Sequence, residues 1–339
     1  MSDPAEELLD VRDLTVTYEA GRAMQWRRRP AVAVDAVSFD VRPGETLGLV
    51  GESGSGKSTI GRAILRLVDA ASGTIHFDGL DVTALGHRTP LAYRREVQAV
   101  FQDPMSSLNP RHAVSQAVTT SLRRHGLGDR AKRAEVAAAA FERVGLSPAH
   151  LDRYSTELSG GQRQRVAIAR ALALEPRLVV CDEAVSALDV STQSQIVNLL
   201  ADLQESTGVS YLFITHDLRV VRHISHRIAV LHAGRLVELA PARLLFESPK
   251  HPYTRSLIAA SPTTHPEGRE RRRARRANYE VNRYEQSVIP RGGAGCPFRG
   301  RCASVMDVCH TTTPPVRRLA DGSQVACHLY GTPPAGRAG

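Results

Sequence analysis

Short apolar segments alternate with helical patterns along most of this chain. Residues 8–18 alternate between apolar and polar side chains, which is typical of a half-buried strand. Four further segments are mostly apolar, as strands buried on both faces of a parallel sheet are: residues 46–50, 97–101, 178–182 and 210–215. Helical periodicity separates them, at residues 114–125, 132–144, 162–174 and 192–203. This order predicts an α/β protein with a mainly parallel sheet.

Residues 51–59 join the first apolar strand to a helical segment and read Gly-Glu-Ser-Gly-Ser-Gly-Lys-Ser-Thr. The spacing matches the phosphate-binding loop in the strand-to-helix context that this loop requires. Glycines let successive N–H groups turn towards a phosphate at the positive end of the following helix. A glycine- and serine-rich turn that happens to contain a lysine is the alternative. The phosphate-binding interpretation predicts a site formed by Gly51, Ser53, Gly54, Ser55, Gly56, Lys57, Ser58 and Thr59.

Within this loop two side chains have specific expected roles. Lys57 would reach the β- and γ-phosphates of a nucleotide, and the Ser58 hydroxyl would ligate the Mg²⁺ that bridges them. Two adjacent carboxylates, Asp182 and Glu183, end the apolar strand at residues 178–182. Successive strand residues point in opposite directions, so these two carboxylates are expected to do different work. We expect Asp182 to hold Mg²⁺ through water and Glu183 to polarise the attacking water, the alternative being two solvated acids.

The segment Leu-Ser-Gly-Gly-Gln at residues 158–162 precedes another helical pattern. Ser159 followed three residues later by Gln162 is typical of a capping box, which is a purely structural role. Gly160 and Gly161 are poor helix formers, however, and favour a site where something approaches the backbone closely. The functional interpretation is a second phosphate-binding helix end.

Composition narrows the class of protein. The chain has 339 residues, 23% charged and 42% hydrophobic, with a net charge of +9. Much of the excess charge lies in arginine runs at residues 27–29 and 269–276, which no aromatic residues interleave, so we interpret them as solvated linkers rather than a nucleic-acid surface. No window approaches 18 consecutive apolar residues, and residues 1–9 have no apolar signal core. We therefore expect a cytosolic protein whose role at any membrane is peripheral.

These motifs together resemble the ATP-binding cassette (ABC) family over about residues 8–247. The resemblance implies a P-loop NTPase with a RecA-like core, an antiparallel β subdomain and an inserted helical subdomain at about residues 103–176. It divides the chain into a nucleotide-binding domain at residues 1–248 and a C-terminal extension at residues 249–339. It implies ATP and Mg²⁺ as ligands and places Gln162 at the facing helix. It adds four site residues to those above: Gln102 as a Mg²⁺-linked sensor, Asp189 at a dimer seam, His216 as a γ-phosphate contact, and Tyr18 stacked on adenine.

In that family two cassettes face each other head to tail. The resemblance therefore implies that the helix starting at Ser159 in one subunit completes the phosphate site that Lys57 opens in the other. An alternative class is the DNA-associated ABC ATPases of repair and chromosome maintenance. Those proteins insert long coiled coils or zinc modules between the two motifs that correspond to Gln102 and Ser159. In this chain only 56 residues separate Gln102 from Ser159, and they contain no sustained heptads.

The segment at residues 101–111, Phe-Gln-Asp-Pro-Met-Ser-Ser-Leu-Asn-Pro-Arg, and His-Pro-Tyr-Thr at residues 251–254 resemble the ATPase subunits of oligopeptide and dipeptide importers, which include nickel and glutathione systems. Within that group the chain is similar to F-type subunits. This resemblance implies a second, non-identical D-type ATPase, two membrane permeases, an extracytoplasmic binding protein and a location on the cytoplasmic face of the membrane. It implies no nucleic-acid partner.

Four of the five cysteines lie in the C-terminal extension, at Cys296, Cys302, Cys309 and Cys327. Clustered thiols in a cytosolic protein favour a metal over disulfides, and a metal would order a segment with little apolar content. The gaps of five, six and seventeen residues lack the C-x₂-C pairs of zinc ribbons. Similar tails in the importer group are associated with a [4Fe–4S] cluster, for which four thiolates are suitable ligands. Zinc, with His310 or His328 as further ligands, and free thiols are the alternatives.

Overall fold

A computed structural model describes residues 7–19, 30–86, 88–103, 108–260 and 292–331 of the chain. Both arginine runs of the sequence lie outside these residues, as do residues 104–107 of the importer-like segment. None of the described helices is both long enough and apolar enough to cross a membrane.

The described strands are β1 Leu9–Tyr18, β2 Ala31–Val41, β3 Thr46–Val50, β4 Ser72–Phe77, β5 Leu80–Asp81, β6 Val97–Phe101, β7 Leu178–Asp182, β8 Ser210–Thr215, β9 Arg227–His232, β10 Arg235–Pro241, β11 Val316–Arg318 and β12 Gln324–Ala326.

Ten α-helices connect or cover these strands in the described part of the chain. They are α1 Lys57–Ile64, α2 Leu91–Glu96, α3 Ser115–Arg124, α4 Arg130–Arg143, α5 Gly160–Leu172, α6 Val190–Thr207, α7 Leu218–Ile224, α8 Ala242–Glu247, α9 Pro252–Ala260 and α10 Val308–Thr311. The α/β class is confirmed, and the helices predicted at residues 114–125, 132–144, 162–174 and 192–203 correspond to α3, α4, α5 and α6.

The main sheet has eight strands in the order β11-β12-β10-β9-β3-β8-β7-β6. Strands β6, β7, β8, β3 and β9 are parallel, so their carboxyl ends meet at one edge of the sheet. Every residue of β3, β7 and β8 is buried, as the apolar runs predict for central parallel strands. Burial on both faces gives the molecule two apolar clusters, one on each side of this sheet. The edge where the parallel strands end is where ligands of such sheets bind.

A second, antiparallel sheet packs beside the first, with strand order β2-β1-β4-β5. Its strands alternate between buried and more exposed residues, in agreement with the pattern at residues 8–18. Asp78 and Gly79 both have positive φ, +49° and +77°, in the tight turn between β4 and β5. An Asp-Gly pair is favoured in such turns because both central residues need φ above zero. The Asp-Gly pair at residues 78 and 79 therefore accounts for this hairpin turn.

The C-terminal extension continues the main sheet. Strand β12 pairs antiparallel with β10, with Val325 opposite Glu238, and β11 pairs with β12. Phe298, Cys296 and Cys309 are buried in the same apolar cluster as the helices α3 to α6. Packing on the cassette therefore contributes to the order of the extension. The domain division at residue 248 stays a prediction, since the sheet continues across it.

Candidate nucleotide site and four-cysteine cavity

The phosphate loop lies between the end of β3 and the start of α1, at the carboxyl edge of the parallel sheet. Gly56, which precedes α1, has φ of +106°, and a Cβ there would lie 2.6 Å from the Ala33 carbonyl oxygen. A Cβ on Gly51 would lie 2.2 Å from the carbonyl oxygen of Leu231. Only glycine fits such close approaches of two backbones. The neighbouring strands β2 and β9 therefore fix the course of the loop.

A cavity of about 340 Å³ opens in front of this loop. Tyr18 lines it, is 38% exposed, and its hydroxyl lies 3.4 Å from the Thr59 hydroxyl. Glu183 lines it from the end of β7. The remaining predicted residues that line it are Ser53, Gly54, Ser55, Gly56, Lys57, Ser58 and Thr59. The structure thus gathers most of the residues predicted from the loop, the first strand and β7 around one space.

Lys57 is 4% exposed, and its ammonium donates hydrogen bonds to the carbonyl oxygens of Gly51 and Glu52, both at 3.0 Å. Burial lowers the pKa of Lys57, and the nearby carboxylates of Glu183, Asp182 and Glu52 oppose that shift. The loop backbone and the surrounding carboxylates therefore hold a buried cation at the N-terminus of α1. The electrostatic attraction of Lys57 for an anionic ligand is strong at this buried position.

Ser58 and Asp182 meet below the cavity, where the Ser58 hydroxyl donates to Asp182 Oδ1 at 2.7 Å. Burial raises the pKa of Asp182, while the hydrogen bond from Ser58 and the charges of Arg62 and Lys57 lower it. Within the described part of the chain no three His, Cys, Asp or Glu side chains are grouped to hold a metal ion. This donor set still fits Mg²⁺, because Mg²⁺ takes one or two protein oxygens and completes its shell with phosphate oxygens and water.

Glu183 has a backbone conformation that the sequence did not predict. Its φ is +50°, which is uncommon for a residue other than glycine, and its N–H donates to the Ile214 carbonyl oxygen at 2.9 Å. His216 Nδ1 lies 3.3 Å from Glu183 Oε1. The neighbouring Asp182 contacts Ser58 instead. The two carboxylates therefore have different partners, as the strand geometry predicts.

Gln102 follows the last residue of β6, which pairs with Asp182 at the end of β7. Gln102 therefore lies at the carboxyl edge of the parallel sheet, but it is exposed and does not line the cavity. Asp189 caps α6: its carboxylate accepts from the Thr192 N–H at 2.9 Å and from the Ser191 hydroxyl at 2.5 Å. The hydrogen bond from Ser191, with those from Thr192, lowers the pKa of Asp189.

The start of α5 is the capping box that its sequence predicts. The Gln162 N–H donates to Ser159 Oγ at 3.2 Å, and the Ser159 N–H donates to Gln162 Oε1 at 2.9 Å. A Cβ on Gly161 would lie 2.6 Å from Thr192 Cγ2, so the close approach that the two glycines predict comes here from α6 of the same chain. In a single subunit Ser159, Gly160, Gly161 and Gln162 do not line the cavity that contains Lys57.

Cys296, Cys302, Cys309 and Cys327 line one small cavity, together with His251 and His328. Its free volume of about 10 Å³ suits a single water molecule and is too small for an iron–sulfur cluster as the side chains stand. Burial raises the pKa of Cys296 to about 11 and also raises the pKa values of Cys302 and Cys327, which keeps these thiols protonated near neutral pH. The four cysteines that the sequence grouped as ligands therefore lie around one small cavity.

Two residues that contact the phosphate loop were missed in the sequence analysis. Tyr253 and Arg301, both in the C-terminal extension, contact Glu52 in the loop. Tyr253 lies in the His-Pro-Tyr-Thr segment, but the loop that it reaches is about 200 residues earlier in the chain. Pairing over such a distance has no local sequence signal.

The fold and this cavity define the class of the protein. A strand, phosphate loop and helix that face carboxylates at the ends of neighbouring parallel strands are the site of a P-loop nucleoside triphosphatase. The family model described as ABC transporter matches residues 34–186, and the model described as oligopeptide/dipeptide transporter, C-terminal region, matches residues 237–309. The chain belongs to the ABC transporter family, as an ATP-hydrolysing cassette.

Similar proteins support this assignment. A probable peptide ABC transporter ATP-binding protein of Sinorhizobium fredii is 47% identical over 96% of this chain and 90% of its own length. A putative peptide import ATP-binding protein of Brucella ovis is 46% identical over 94% of this chain and 97% of its own. The glutathione import ATP-binding protein GsiA of Salmonella typhi is 52% identical over 79% of this chain and 43% of its own. These relatives give no support to a DNA-associated ATPase.

Solved structures agree with the fold. The structure of cbiO1 from Clostridium perfringens, part of the ABC transporter complex cbiONQ, has a TM-score of 0.63 at 26% identity, over 72% of this chain and 92% of that one. The ATP-binding cassette MJ0796, in a dimeric post-hydrolysis state bound to ADP and Pi, has a TM-score of 0.60 at 28% identity, over 69% of this chain and 99% of that one. The predicted ABC-type fold is confirmed.

Proposed function

We propose that this chain binds and hydrolyses ATP to drive the import of peptides, or of related cargo such as glutathione or nickel, by a membrane transporter. The observation that carries the proposal is the cavity in front of α1, where Lys57 and Glu183 line one space and Ser58 is bonded to Asp182 at its base. The C-terminal match at residues 237–309 and the peptide-import relatives support the cargo class.

In the proposed site the backbone of residues 51–59 cradles the phosphates, and Tyr18 at the rim stacks on adenine. Lys57 exchanges its loop carbonyl partners for the β- and γ-phosphates. Ser58 and Asp182 would hold Mg²⁺, with Gln102 reaching it from β6. Bound Mg²⁺ would neutralise charge that develops on the phosphate oxygens.

Glu183 is the proposed general base. Its carboxylate lines the cavity and lies within hydrogen-bond reach of His216, which orients it and contacts the γ-phosphate. Ser159, Gly160, Gly161 and Gln162 would act on the ATP of a second subunit, with Asp189 at the seam between the two. The dimeric ADP and Pi complex of MJ0796 supports a paired arrangement of cassettes.

The proposed assembly lies at the cytoplasmic face of the membrane, where this chain is peripheral. Its partners are a second ATPase subunit, not identical and of D-type, two integral-membrane permeases and, through them, an extracytoplasmic binding protein. This chain would be the F-type member of the ATPase pair. Nucleic acid is not among the partners.

Affinity purification of the tagged chain from a membrane extract tests this assembly. We expect a sister ATPase and two permeases to copurify, and peptide-loaded binding protein to stimulate ATP hydrolysis in the reconstituted complex. The same preparation is titrated with duplex DNA at several salt concentrations, since phosphate contacts are salt-dependent. Tight, sequence-specific DNA binding without permeases would overturn the proposal.

For the four-cysteine cavity, the donor set supports a [4Fe–4S] cluster, whereas the small volume argues against it. A cluster would enter only if the thiols rotated outward, and it would supply a redox-active, ordering crosslink. Iron, zinc and sulfide analysis of anaerobically purified protein separates the three candidates. Cluster ligation predicts iron, sulfide and broad visible absorption that Cys302→Ser removes. If only zinc is found, the cysteines form a zinc site. If neither metal is found, they are free thiols.

A further inference from the structure

The C-terminal extension touches the phosphate loop directly, at Glu52. The Glu52 N–H donates to the Tyr253 hydroxyl oxygen at 3.0 Å. The Arg301 guanidinium donates to the Glu52 carboxylate through both of its terminal nitrogens, at 3.0 and 3.1 Å. A bidentate pair of this kind fixes direction as well as distance. One loop residue is therefore held through its backbone and its side chain by two residues of the extension.

Tyr253 is itself firmly anchored. It is 1% exposed, and its ring lies 4.2 Å from the His232 ring and 5.5 Å from the Phe298 ring, between centroids. Its N–H donates to His251 Nδ1 at 3.0 Å. Burial raises the pKa of Tyr253, so its hydroxyl stays neutral. The ring therefore presents its oxygen to the loop from a fixed position.

The segment before Tyr253 is tied to the main sheet. The buried carboxylate of Glu238, on β10, accepts the backbone N–H groups of Lys250 and His251, both at 2.8 Å. Arg301 is also supported, because its guanidinium carbon lies 5.3 Å from the centre of the Phe298 ring. Sheet, extension and loop thus form one connected set of contacts.

These contacts lead to the ammonium of Lys57. The carbonyl oxygen of Glu52, the residue that Tyr253 and Arg301 hold, accepts from Lys57 Nζ at 3.0 Å. A shift of the Glu52 peptide would move this acceptor and the N–H groups that follow it in the loop. Groups that bind phosphate lose affinity when such a preformed arrangement is loosened.

We propose that Tyr253 and Arg301 are positioning residues for ATP, which hold Glu52 and thereby the phosphate loop in its binding conformation. The proposal rests on the assignment of Lys57 and the loop as the ATP site. It gives the C-terminal extension a part in nucleotide binding, in addition to whatever its cysteines bind.

The first experiment compares ATP affinity and turnover of the full-length chain with Tyr253→Phe, Arg301→Ala and the double variant. Loss of one hydrogen bond to the Glu52 N–H should weaken ATP binding about fivefold in Tyr253→Phe. The Arg301 and Glu52 side chains are 28% and 48% exposed, so we expect a smaller loss of about two- to fivefold in Arg301→Ala. The KM for ATP should rise while kcat changes little.

Two matched controls lie on the same chain. Tyr330→Phe removes an extension hydroxyl that donates to the Lys250 carbonyl oxygen and does not contact the loop. Arg243→Ala removes an exposed arginine that pairs with Glu247 in α8. Both should leave ATP affinity unchanged. Equal losses in the controls would overturn the proposal, because they would indicate a general loosening of the protein.

Amide hydrogen exchange provides a readout other than activity. Residues 51–57 should exchange faster in Tyr253→Phe than in Tyr330→Phe, because the Glu52 N–H has lost its acceptor. Charge reversal tests the ion pair: Glu52→Arg and Arg301→Glu should each weaken ATP binding, and the double reversal should restore part of it. Unchanged exchange and additive losses would overturn the proposal.

Lys57→Ala separates this proposal from the assignment on which it rests. If Lys57→Ala abolishes ATP binding but Tyr253→Phe and Arg301→Ala bind ATP as the wild type does, the positioning role is wrong and the site stands. If Lys57→Ala binds ATP normally, the site assignment itself is wrong. A lower melting temperature with unchanged ATP affinity would assign Tyr253 and Arg301 a purely structural role.

Discussion

Glycine lies at the start of two of the described helices, α1 and α5, and these two starts differ in how their backbone N–H groups are satisfied. At α1 the preceding Gly56 is left-handed, no side chain caps the helix, and the start opens into the cavity of about 340 Å³. At α5 the capping box uses the N–H groups of Ser159 and Gln162. The first start is thus prepared for an anion from outside. The second is mostly satisfied within its own chain.

The difference indicates what a second subunit would have to use. A helix leaves its first four N–H groups without partners inside the helix, and the capping box of α5 satisfies two of them. The groups that remain for a phosphate are the N–H groups of Gly160 and Gly161. We therefore expect substitutions at α1 to affect ATP binding by one subunit, and those at α5 to affect the paired state.

The largest effect is expected at the cavity of α1, from Glu183→Gln. This change keeps the size of the side chain and removes the proposed base, so turnover should fall by about 10²- to 10⁴-fold while ATP still binds. Steady-state hydrolysis and ATP titration measure the two quantities, and size-exclusion chromatography with ATP should find a trapped dimer. Hydrolysis at the wild-type rate would remove Glu183 from its assigned role.

Lys57→Ala and Ser159→Ala compare the two helix starts directly. Loss of the Lys57 ammonium, a charged donor, should weaken ATP binding by about 10- to 100-fold. Ser159→Ala removes a helix cap and should leave single-subunit ATP affinity unchanged, at a cost of about 1 kcal/mol in the free energy of unfolding. Equilibrium titration under conditions where the chain is monomeric makes the comparison. Equal losses of affinity would contradict the distinction between the two starts.

Gly161→Ala tests the structural part of α5. The new Cβ would lie 2.6 Å from Thr192 Cγ2, and overpacking of this kind costs about 1–3 kcal/mol. Thr192→Ser removes that methyl group and keeps the hydroxyl that bonds to Asp189, so the double variant should regain most of the stability. Urea denaturation measures both. If Gly161→Ala is as stable as the wild type, Thr192 does not explain this glycine.

The sequence predicted the contiguous parts of this architecture well. The phosphate loop, the strands β3, β7 and β8 and the Asp78-Gly79 turn all carry their signal within a few neighbouring residues. Short helices such as α2 and α8, each of six residues, were missed because so short a segment has little periodicity.

Long-range contacts were beyond the reach of the sequence. The pairing of β12 with β10 and the contact of Tyr253 with Glu52 join residues that are far apart in the chain, and no local pattern encodes them. The same holds for Gly161, whose neighbour Thr192 comes from another helix. The positive φ of Glu183 depends on how β7 and β8 are held together, as its N–H bond to Ile214 indicates.

The smallest effect on stability, and the sharpest test of the paired state, is expected from Gly160→Asp. A Cβ at Gly160 would lie 3.4 Å from Leu188 Cδ2, which is an ordinary contact, so the site accepts a side chain. A carboxylate in the first turn of α5 should stabilise the helix by about 0.3–1 kcal/mol, because it complements the helix dipole. The same carboxylate would repel a γ-phosphate from a second subunit, so turnover and ATP-dependent dimerisation should fall several-fold even though the protein is no less stable. Gly160→Ala is the uncharged control and should keep wild-type turnover and ATP-dependent dimerisation. Full turnover in Gly160→Asp would mean that no phosphate approaches α5, and the proposed composite site would be wrong.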